Sequence, residues 1–512
     1  MTTYYVSTTG ADSAARDGLS WETAWSSLSY ASDRVPEGDH LIQLGAGTFT
    51  ATETARPKSG ITIAGMREGD GPSQTQLIAS SDWLLSADPS GDADGNSGEL
   101  ANEYLIAFRN AQDITIRDLT LASHPDHHIT GAINVWRSRD IAIHDLSIKN
   151  FRWSGLHLAK SRRLNIHNNI LENASTQKFR FSNGLIRTRF IKNSDIHHNT
   201  IISTFGPGYG YKGGDHENVR IQHNTFSLEK GFAIEIAHSN EYGVEISHNK
   251  VNQVISIPKD KQSKNPNDRG YEYTFWIHHN ELTDSYAIEG PRNHLRLSHN
   301  HIRIEEPGGR VYTHHFGVNN GPVWIHNNVI ENVDRGLVWM NRGLAKNIFV
   351  YNNTVTFANA GDRAGAVLGV PDENKADRGL ENWVVRNNIL IAPENQPRKF
   401  FRNIGDSENI TAIDNIVVNL RNVPDGNYSD VDPGFSGRGE RPFPFYSPAN
   451  GESFMVDKGA DVGFPFVGAA PDVGAYELGA EASPAPIGMS LVLPGLLIAA
   501  VPLGLFQWMR SR

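Results

Sequence analysis

The sequence predicts an all-β chain wound into a parallel β-helix, with a short N-terminal capping helix and a C-terminal hydrophobic tail. Two observations carry that prediction. A short phrase ending in asparagine recurs through the middle of the chain, as "NIHNN" (165–169), "DIHHN" (195–199), "RIQHN" (220–224), "EISHN" (245–249), "WIHHN" (276–280), "RLSHN" (296–300), "WIHNN" (324–328), "FVYNN" (349–353) and "VVRNN" (384–388). Its flanks alternate apolar and polar residues with the period of a strand, as in "VRIQHNTF" and "VEISHNKV".

The asparagines Asn169, Asn199, Asn224, Asn249, Asn280, Asn300, Asn328, Asn353 and Asn388 recur at about 20–35 residues, a solenoid interval. Few segments between copies have room for an amphipathic helix, so the strands stack as coils about 4.8 Å apart. A column of asparagine side chains at the bends would bond to neighbouring coils and satisfy backbone groups that a turn leaves unpaired. "AIDN" (412–415) closes the series, and "TIRDL" (115–119) and "AIHDL" (142–146) are expected to occupy the same place with aspartate for asparagine. His198, His223, His248, His279 and His299 belong to the phrase. A ladder spreads imidazoles along an axis, whereas zinc needs them to converge, so they are read as stacking or turn residues.

The ends differ from the middle. "WETAWSSLSYASDRV" (21–35) puts Ala24, Leu28, Ala31 and Val35 on one helical face, suited to plug the open end of a solenoid. Residues 487–508 carry no charge and are followed by "MRSR", long enough to cross about 30 Å of hydrocarbon despite Pro494 and Pro502. They are expected to meet a membrane or a sorting machinery, with 481–486 as linker. No apolar export segment is visible in "MTTYYVSTTG". The expected organisation is a β-helix domain over 1–480, with an opening at 1–50, regular coils over about 100–420 and a closing segment at 421–480. With a net charge of −10 the chain is not a general nucleic-acid binder, and without cysteine it has neither disulfides nor thiolate metal sites.

The opening "YYVSTTGADSAARDGLSWETAWSSLSYASDRVPEGDHLIQLGAGTF" (4–49), the asparagine-ending coils over 115–415 and the exit "PDVGAYE" (471–477) together resemble the right-handed parallel β-helix, pectate-lyase-like superfamily. The resemblance implies the fold and an exported, carbohydrate-active or surface protein. It does not imply one activity, because the superfamily spans lyases, hydrolases, epimerases and non-catalytic proteins. The Asp-Pro-His-Glu order of its epimerases is absent; "SHPDHH" (123–128) differs from it.

Aligning coils on the ladder phrase gives one outward column: His157, Arg187, Lys212, Glu235, Ser256, Glu289 and Trp339. Tyr211 and Arg189 are its neighbours should the register slip by one residue or more. Adjacent coils put Arg187, Lys212 and Glu235 about 5 Å apart per step, within charge-coupling range. Residues 149–192 carry ten Lys or Arg against Glu172, a local positive field suited to a polyanion. These parts fit β-elimination on a uronate polysaccharide such as alginate or pectate. Arg187 holds the sugar carboxylate, and Lys212 or a tyrosine removes the C5 proton once neighbouring cations depress its pKa. Tyr211 or His157 then protonates the leaving oxygen. Glu235 pairs Lys212, orients a hydroxyl or holds calcium, the one cofactor left open; no dense carboxylate cluster points to it. Arg189, Lys160, Tyr209, His216, Glu289 and Trp339 are candidate sugar contacts.

The alternatives are an inverting glycoside hydrolase using Glu235, Glu289 and Asp215, or a non-catalytic surface protein that binds carbohydrate. "GYGYKGGDHEN" (208–218) lies at the centre of all three readings. No helix follows its glycines, so it is not a phosphate loop, and its Asp215, His216 and Glu217 are expected at the groove rim. A monomer is expected.

Overall fold

The computed structural model describes residues 1–69, 71–83, 103–173, 184–204, 208–236, 241–257, 266–283, 286–289, 294–305, 310–314, 322–334, 336–340, 343–358, 365–369, 378–401, 407–437, 442 and 445–479. Three parallel sheets hold 15, 15 and 13 strands among these residues. One coil shows the plan: Gly208–Gly213 lies in the third sheet, Glu217–Gln222 in the first and Thr225–Leu228 in the second. Consecutive coils pair in register; Val219 and Ile221 match Ser194 and Ile196 before them, and Val244 and Ile246 after. Alternation drives this arrangement, because Val219 and Ile221 point into the core while Arg220 between them faces water.

The coils begin earlier than the repeated phrase. Thr2–Val6 pairs with His40–Leu44, then Ile61–Ala64 and Gln112–Arg117 continue the first sheet. The helix spans Leu28–Arg34, shorter than the predicted 21–35, and Ser27 caps it by accepting from the Tyr30 N–H. Leu28 and Ala31 on the helix, and Ala24 and Val35 flanking it, are all fully or almost fully buried.

The asparagine column is hydrogen-bonded throughout. Asn224 donates from its backbone N–H and from Nδ2 to Asn249 Oδ1 at 2.9 and 3.0 Å. Its Nδ2 also reaches the Ile196 and Gln222 carbonyls at 2.9 and 3.0 Å. Its own Oδ1 accepts from the Asn199 N–H and Nδ2, both at 3.0 Å. The column runs from Asn169 to Asn415 and continues one step further to Asn427.

The residue before each ladder asparagine adopts left-handed backbone, from Asn168 (φ 55) and His198 (φ 53) to Asp414 (φ 57). Asp118 (φ 59) and Asp145 (φ 55) occupy this turn position and not the ladder itself. The ladder place in those coils belongs to Leu119 and Leu146, the latter donating its N–H to Asn169 Oδ1. The expected aspartate-for-asparagine exchange is therefore displaced by one residue. Asp, Asn and His are the non-glycine residues that tolerate this conformation best.

At the turn position the imidazoles of His198, His223, His248, His279 and His299 stack face to face, with centroids 4.7–5.0 Å apart. His144, His167 and His197 form a second stack beside them. These rings are stacking partners along an axis, as their repetition predicts.

The closing segment packs along the ladder corner. Asn387 Nδ2 donates to the Ala460 carbonyl and the Gly474 N–H to the Asn387 carbonyl. Met455 and Val473 bury against Ile389 and Ile416. The linker and tail, 481–512, lie outside the described residues. Among the described residues no helix is long and apolar enough to cross a membrane.

Two outcomes follow from the ladder. Asn224→Ala removes the Nδ2 donor to the Ile196 and Gln222 carbonyls and the Oδ1 acceptor of the Asn199 N–H, and should cost about 2–4 kcal/mol in urea unfolding. An unchanged midpoint would show that the ladder does not stabilise the coils.

The histidine stack makes stability depend on pH. Burial, then repulsion from neighbouring histidines, lowers His279 from 6.5 to about 4 and holds His299 well below 6.5. Folded pKa values lie below unfolded ones, so this contribution is complete above pH 6.5 and is lost as pH falls toward 4. Glu477, raised to about 7 by burial, acts in the opposite sense within the closing segment. A comparison with His299→Asn isolates the stack, because asparagine tolerates the turn. The parent should lose more thermal stability than this variant between pH 7 and pH 5; equal losses would exclude the stack as the cause.

Candidate active site

The third sheet carries the candidate column. Its register joins Asn134, His157, Arg187, Lys212, Glu235, Ser256, Glu289, Thr313 and Trp339 on successive coils. The sequence alignment passes over Asn134 and Thr313, and the register runs on to Ala107 at one end and Gly369 at the other. The side chains of Glu289, Thr313 and Trp339 lie outside the described residues, so only their backbone places are known. Glu235 and Glu289 stand two coils apart, with Ser256 between them.

A local irregularity decides which tyrosine joins the column. Ala233 and Ile234 are consecutive yet both lie in the hydrophobic core, and pairing with the next strand shifts between Phe232 and Ile234. Gly210 pairs this bulge in the preceding coil. A Cβ there would meet the Ala233 carbonyl at 2.7 Å and the Phe226 ring at 2.8 Å, inside the solenoid. The extra inward residue puts Tyr209 on the same outer face as Lys212, although they are three residues apart. Tyr209 stacks on Phe232 with centroids 5.5 Å apart, and Lys212 Nζ lies 3.7 Å from the Tyr209 ring centroid.

Tyr211, next to the outward Lys212, faces inward, packed among Ile186 and Ile234 at 0% exposure. Its hydroxyl meets Thr188 Oγ1 at 2.6 Å and His216 Nε2 at 3.3 Å. It cannot reach a sugar, and the expectation of a catalytic Tyr211 is overturned. His216 is likewise at 0% exposure and not at the rim. Its Nε2 accepts from the Gly214 N–H at 3.1 Å, which leaves Nδ1 to carry the proton 3.3 Å from Glu241 Oε2. Gly213 is a glycine for this reason, because a Cβ would fall on the His216 ring and the Thr188 hydroxyl.

Glu241, absent from the sequence reading, closes this network. Its buried carboxylate accepts from the Asp215 N–H at 2.6 Å and the His216 N–H at 2.7 Å. Asp215 is thereby held in left-handed backbone (φ 58), its carboxylate 3.6 Å from Arg189 Nε. Glu217 opens the next strand and pairs Lys192 and Arg269 away from the column. No motif marks Glu241 in the sequence; only the fold brings it under the 215–216 turn.

Within the column, Lys212 Nζ is 2.5 Å from Glu235 Oε2. Both Lys212 and Arg187 point outward yet are only 3% and 4% exposed. Burial outweighs the pull of Glu235 and lowers the Lys212 pKa, and Arg187 falls to about 10 through burial and the nearby Arg189. Burial and the Glu235 charge push the half-exposed Tyr209 up to about 12. His157 is buried against the edge of Trp153 and lowered to about 3 by burial and Arg187. It stays neutral at ordinary pH, so it is unsuited to hand a proton to a leaving oxygen. Lys160 stands at the end of its strand, its ammonium 4.6 Å from the Trp136 ring centroid. Among the described residues no group of three or more His, Asp or Glu is arranged to hold a metal ion.

The fold thus defines a right-handed parallel β-helix with a charged outward column on one sheet. The family described as "Right handed beta helix region" matches residues 110–256, which span the coils from Asn110 to Ser256. No curated protein matches the chain. Among solved structures, a tailspike protein mutant of E. coli bacteriophage HK620 in complex with a pentasaccharide aligns at 8% identity and a TM-score of 0.48, covering 79% of this chain and 74% of that one. The pectate lyase Pel9A aligns at 15% identity and 0.28, covering 93% and 96%. PfbA, a surface adhesin of Streptococcus pneumoniae, aligns at 10% identity and 0.41, covering 69% and 88%.

Glu241→Ala should destabilise the fold by about 1–3 kcal/mol in chemical unfolding, since two buried N–H groups lose their acceptor. Full stability in that variant would mean that the turn holds itself.

Proposed function

We propose that the protein cleaves an acidic, uronate-containing polysaccharide by β-elimination on the outer face of its third sheet. The observation that supports this reading most directly is Arg187, Lys212 and Glu235 on consecutive coils, with Tyr209 brought beside them by the bulge. Arg187 is suited to take the uronate carboxylate bidentately and stabilise the charge that develops when the C5 proton leaves. Lys212, its ammonium disfavoured by burial, is the base. The C5–H proton passes to Nζ, the C4–C5 double bond forms, and the C4–O bond breaks with its electrons on the leaving oxygen. Tyr209 remains protonated across the ordinary pH range and is the donor to that oxygen, in the place first assigned to Tyr211 or His157. Glu235 holds Lys212 in place before substrate arrives. An uncharged segment at 487–508 agrees with display at a cell surface, where such polymers are met.

Digestion of alginate, pectate and glycosaminoglycans tests this reading. Unsaturated products absorbing at about 235 nm are expected from elimination. Lys212→Ala and Arg187→Ala should each lower turnover by about a thousandfold or more with the circular dichroism unchanged. New reducing ends without that absorbance would instead establish a hydrolase, and binding without any product would establish a non-catalytic role. Undiminished elimination in both variants would dismiss the column as the site.

A further inference from the structure

A second basic feature lies at the corner where the third sheet turns into the first. The turn residues there are Asn110, Arg137, Lys160, Phe190 and Asp215, one per coil. Each N–H from 110 to 190 bonds to a carbonyl of the following coil, for example Arg137 N–H to the Ala159 carbonyl at 3.0 Å. All five have left-handed backbone, with φ of 50 at Arg137 and 52 at Lys160 and Phe190. At the ladder corner the same conformation is filled by Asn, Asp and His, which tolerate it. Long cationic and aromatic residues gain nothing from it locally, so three in succession mark a place where side-chain chemistry outweighs backbone preference.

Those side chains line a pocket of about 250 Å³. Its floor is small and already satisfied, with the Ala111 and Ser138 N–H groups donating to the hydroxyls of Ser138 and Ser161. Its walls carry Arg137, Arg139, Lys160, Arg162 and Lys192, and no acidic residue lines it. Arg139 leans toward Asp140 at 3.7 Å and Lys192 pairs with Glu217 at 2.7 Å. Arg137 and Arg162 are exposed, and among the described residues neither makes an ion pair. Phe190 adds an exposed ring, with the Arg189 guanidinium 5.0 Å from its centroid. Asp140 feels the charge of Arg162 as well as Arg139, which leaves Arg137 foremost among the cations beside the exposed ring; in a chain of net charge −10 this fits an anionic sugar that stacks and pairs at once.

We propose that this corner is a separate binding subsite for the carboxylate or sulfate groups of an acidic polysaccharide. It adjoins the column, since Lys160 follows Ala159, the register partner of Arg189. A chain held on Arg187 would cross the sheet edge into the pocket. The assignment takes its ligand class from the reading above, but does not depend on elimination taking place.

Affinity electrophoresis separates the two. The full chain carrying Lys212→Ala is run through gels containing polygalacturonate, chondroitin sulfate or neutral dextran. Retardation by an acidic polymer and not by dextran is expected, and the more effective polymer identifies carboxylate or sulfate as the anion. Adding Arg137→Asn and Arg162→Gln, the first of which eases the turn, should weaken Kd by about tenfold, the scale of two lost charged contacts. Retardation unaffected by that pair, or absent with every acidic polymer, overturns the subsite. Equal retardation by duplex DNA overturns its assignment to polysaccharide. Corner-dependent binding in a parent protein that yields no unsaturated product removes the elimination reading and leaves the subsite standing.

Discussion

The structure depends on in-register stacking of coils, and the asparagine column is the interaction that fixes the register. Each ladder amide bonds forward and backward along the column, and most also bond to their own strand, as Asn224 does with Asn199, Asn249, Ile196 and Gln222. A coil that slipped by one residue would lose those bonds and turn its apolar residues outward together. With register fixed at one corner, an outward residue on the third sheet stands beside its counterpart on the next coil. Arg187, Lys212 and Glu235 can act as a unit because asparagines on the far side of the first sheet align their coils.

Corners differ in what their backbone conformation is used for. At the ladder corner the left-handed residue is Asn, Asp or His, and the side chains stack in a manner that serves the fold. Where the third sheet meets the first, the same conformation is occupied by Arg137, Lys160 and Phe190, whose side chains face solvent or the pocket. Asp215 belongs to this series but turns to Arg189, under the hold of Glu241. One repeated backbone geometry therefore carries stacked ladder side chains on one edge and a cationic pocket on the other.

The period of two and the ladder phrase made the column legible from sequence, since both depend on neighbours only a few residues away. What escaped was set by a single inserted inward residue. The bulge at Gly210 and Ala233 carries Tyr209 to the outer face, whereas alternation from Lys212 already turns Tyr211 inward. Gly210 carries the only sequence trace, a glycine where a side chain would strike Phe226. His216 and Glu241 escaped for another reason: they lie 25 residues apart and meet only because their coils stack. The aspartates 118 and 145 were displaced by one place because leucine fills the ladder position in the early coils, where a dry core replaces the amide chain.

Electrostatics explain why the column is built in layers. Arg187 and Lys212 are almost fully buried, and two cations on adjacent coils would repel at that depth without compensation. Glu235 supplies a charge on one side, and the face of the Tyr209 ring lies against the ammonium on the other. This arrangement leaves Glu235 and Tyr209 as the parts nearest solvent, so an arriving carboxylate meets a carboxylate before it meets Arg187. The proposed subsite at the basic corner would resolve that conflict. Under the proposed reading, its exposed Arg137 and Arg162 would capture the chain first, and local concentration would then favour a neighbouring sugar at Arg187. On that reading, capture falls to the exposed cations of the corner and chemistry to the buried groups of the column.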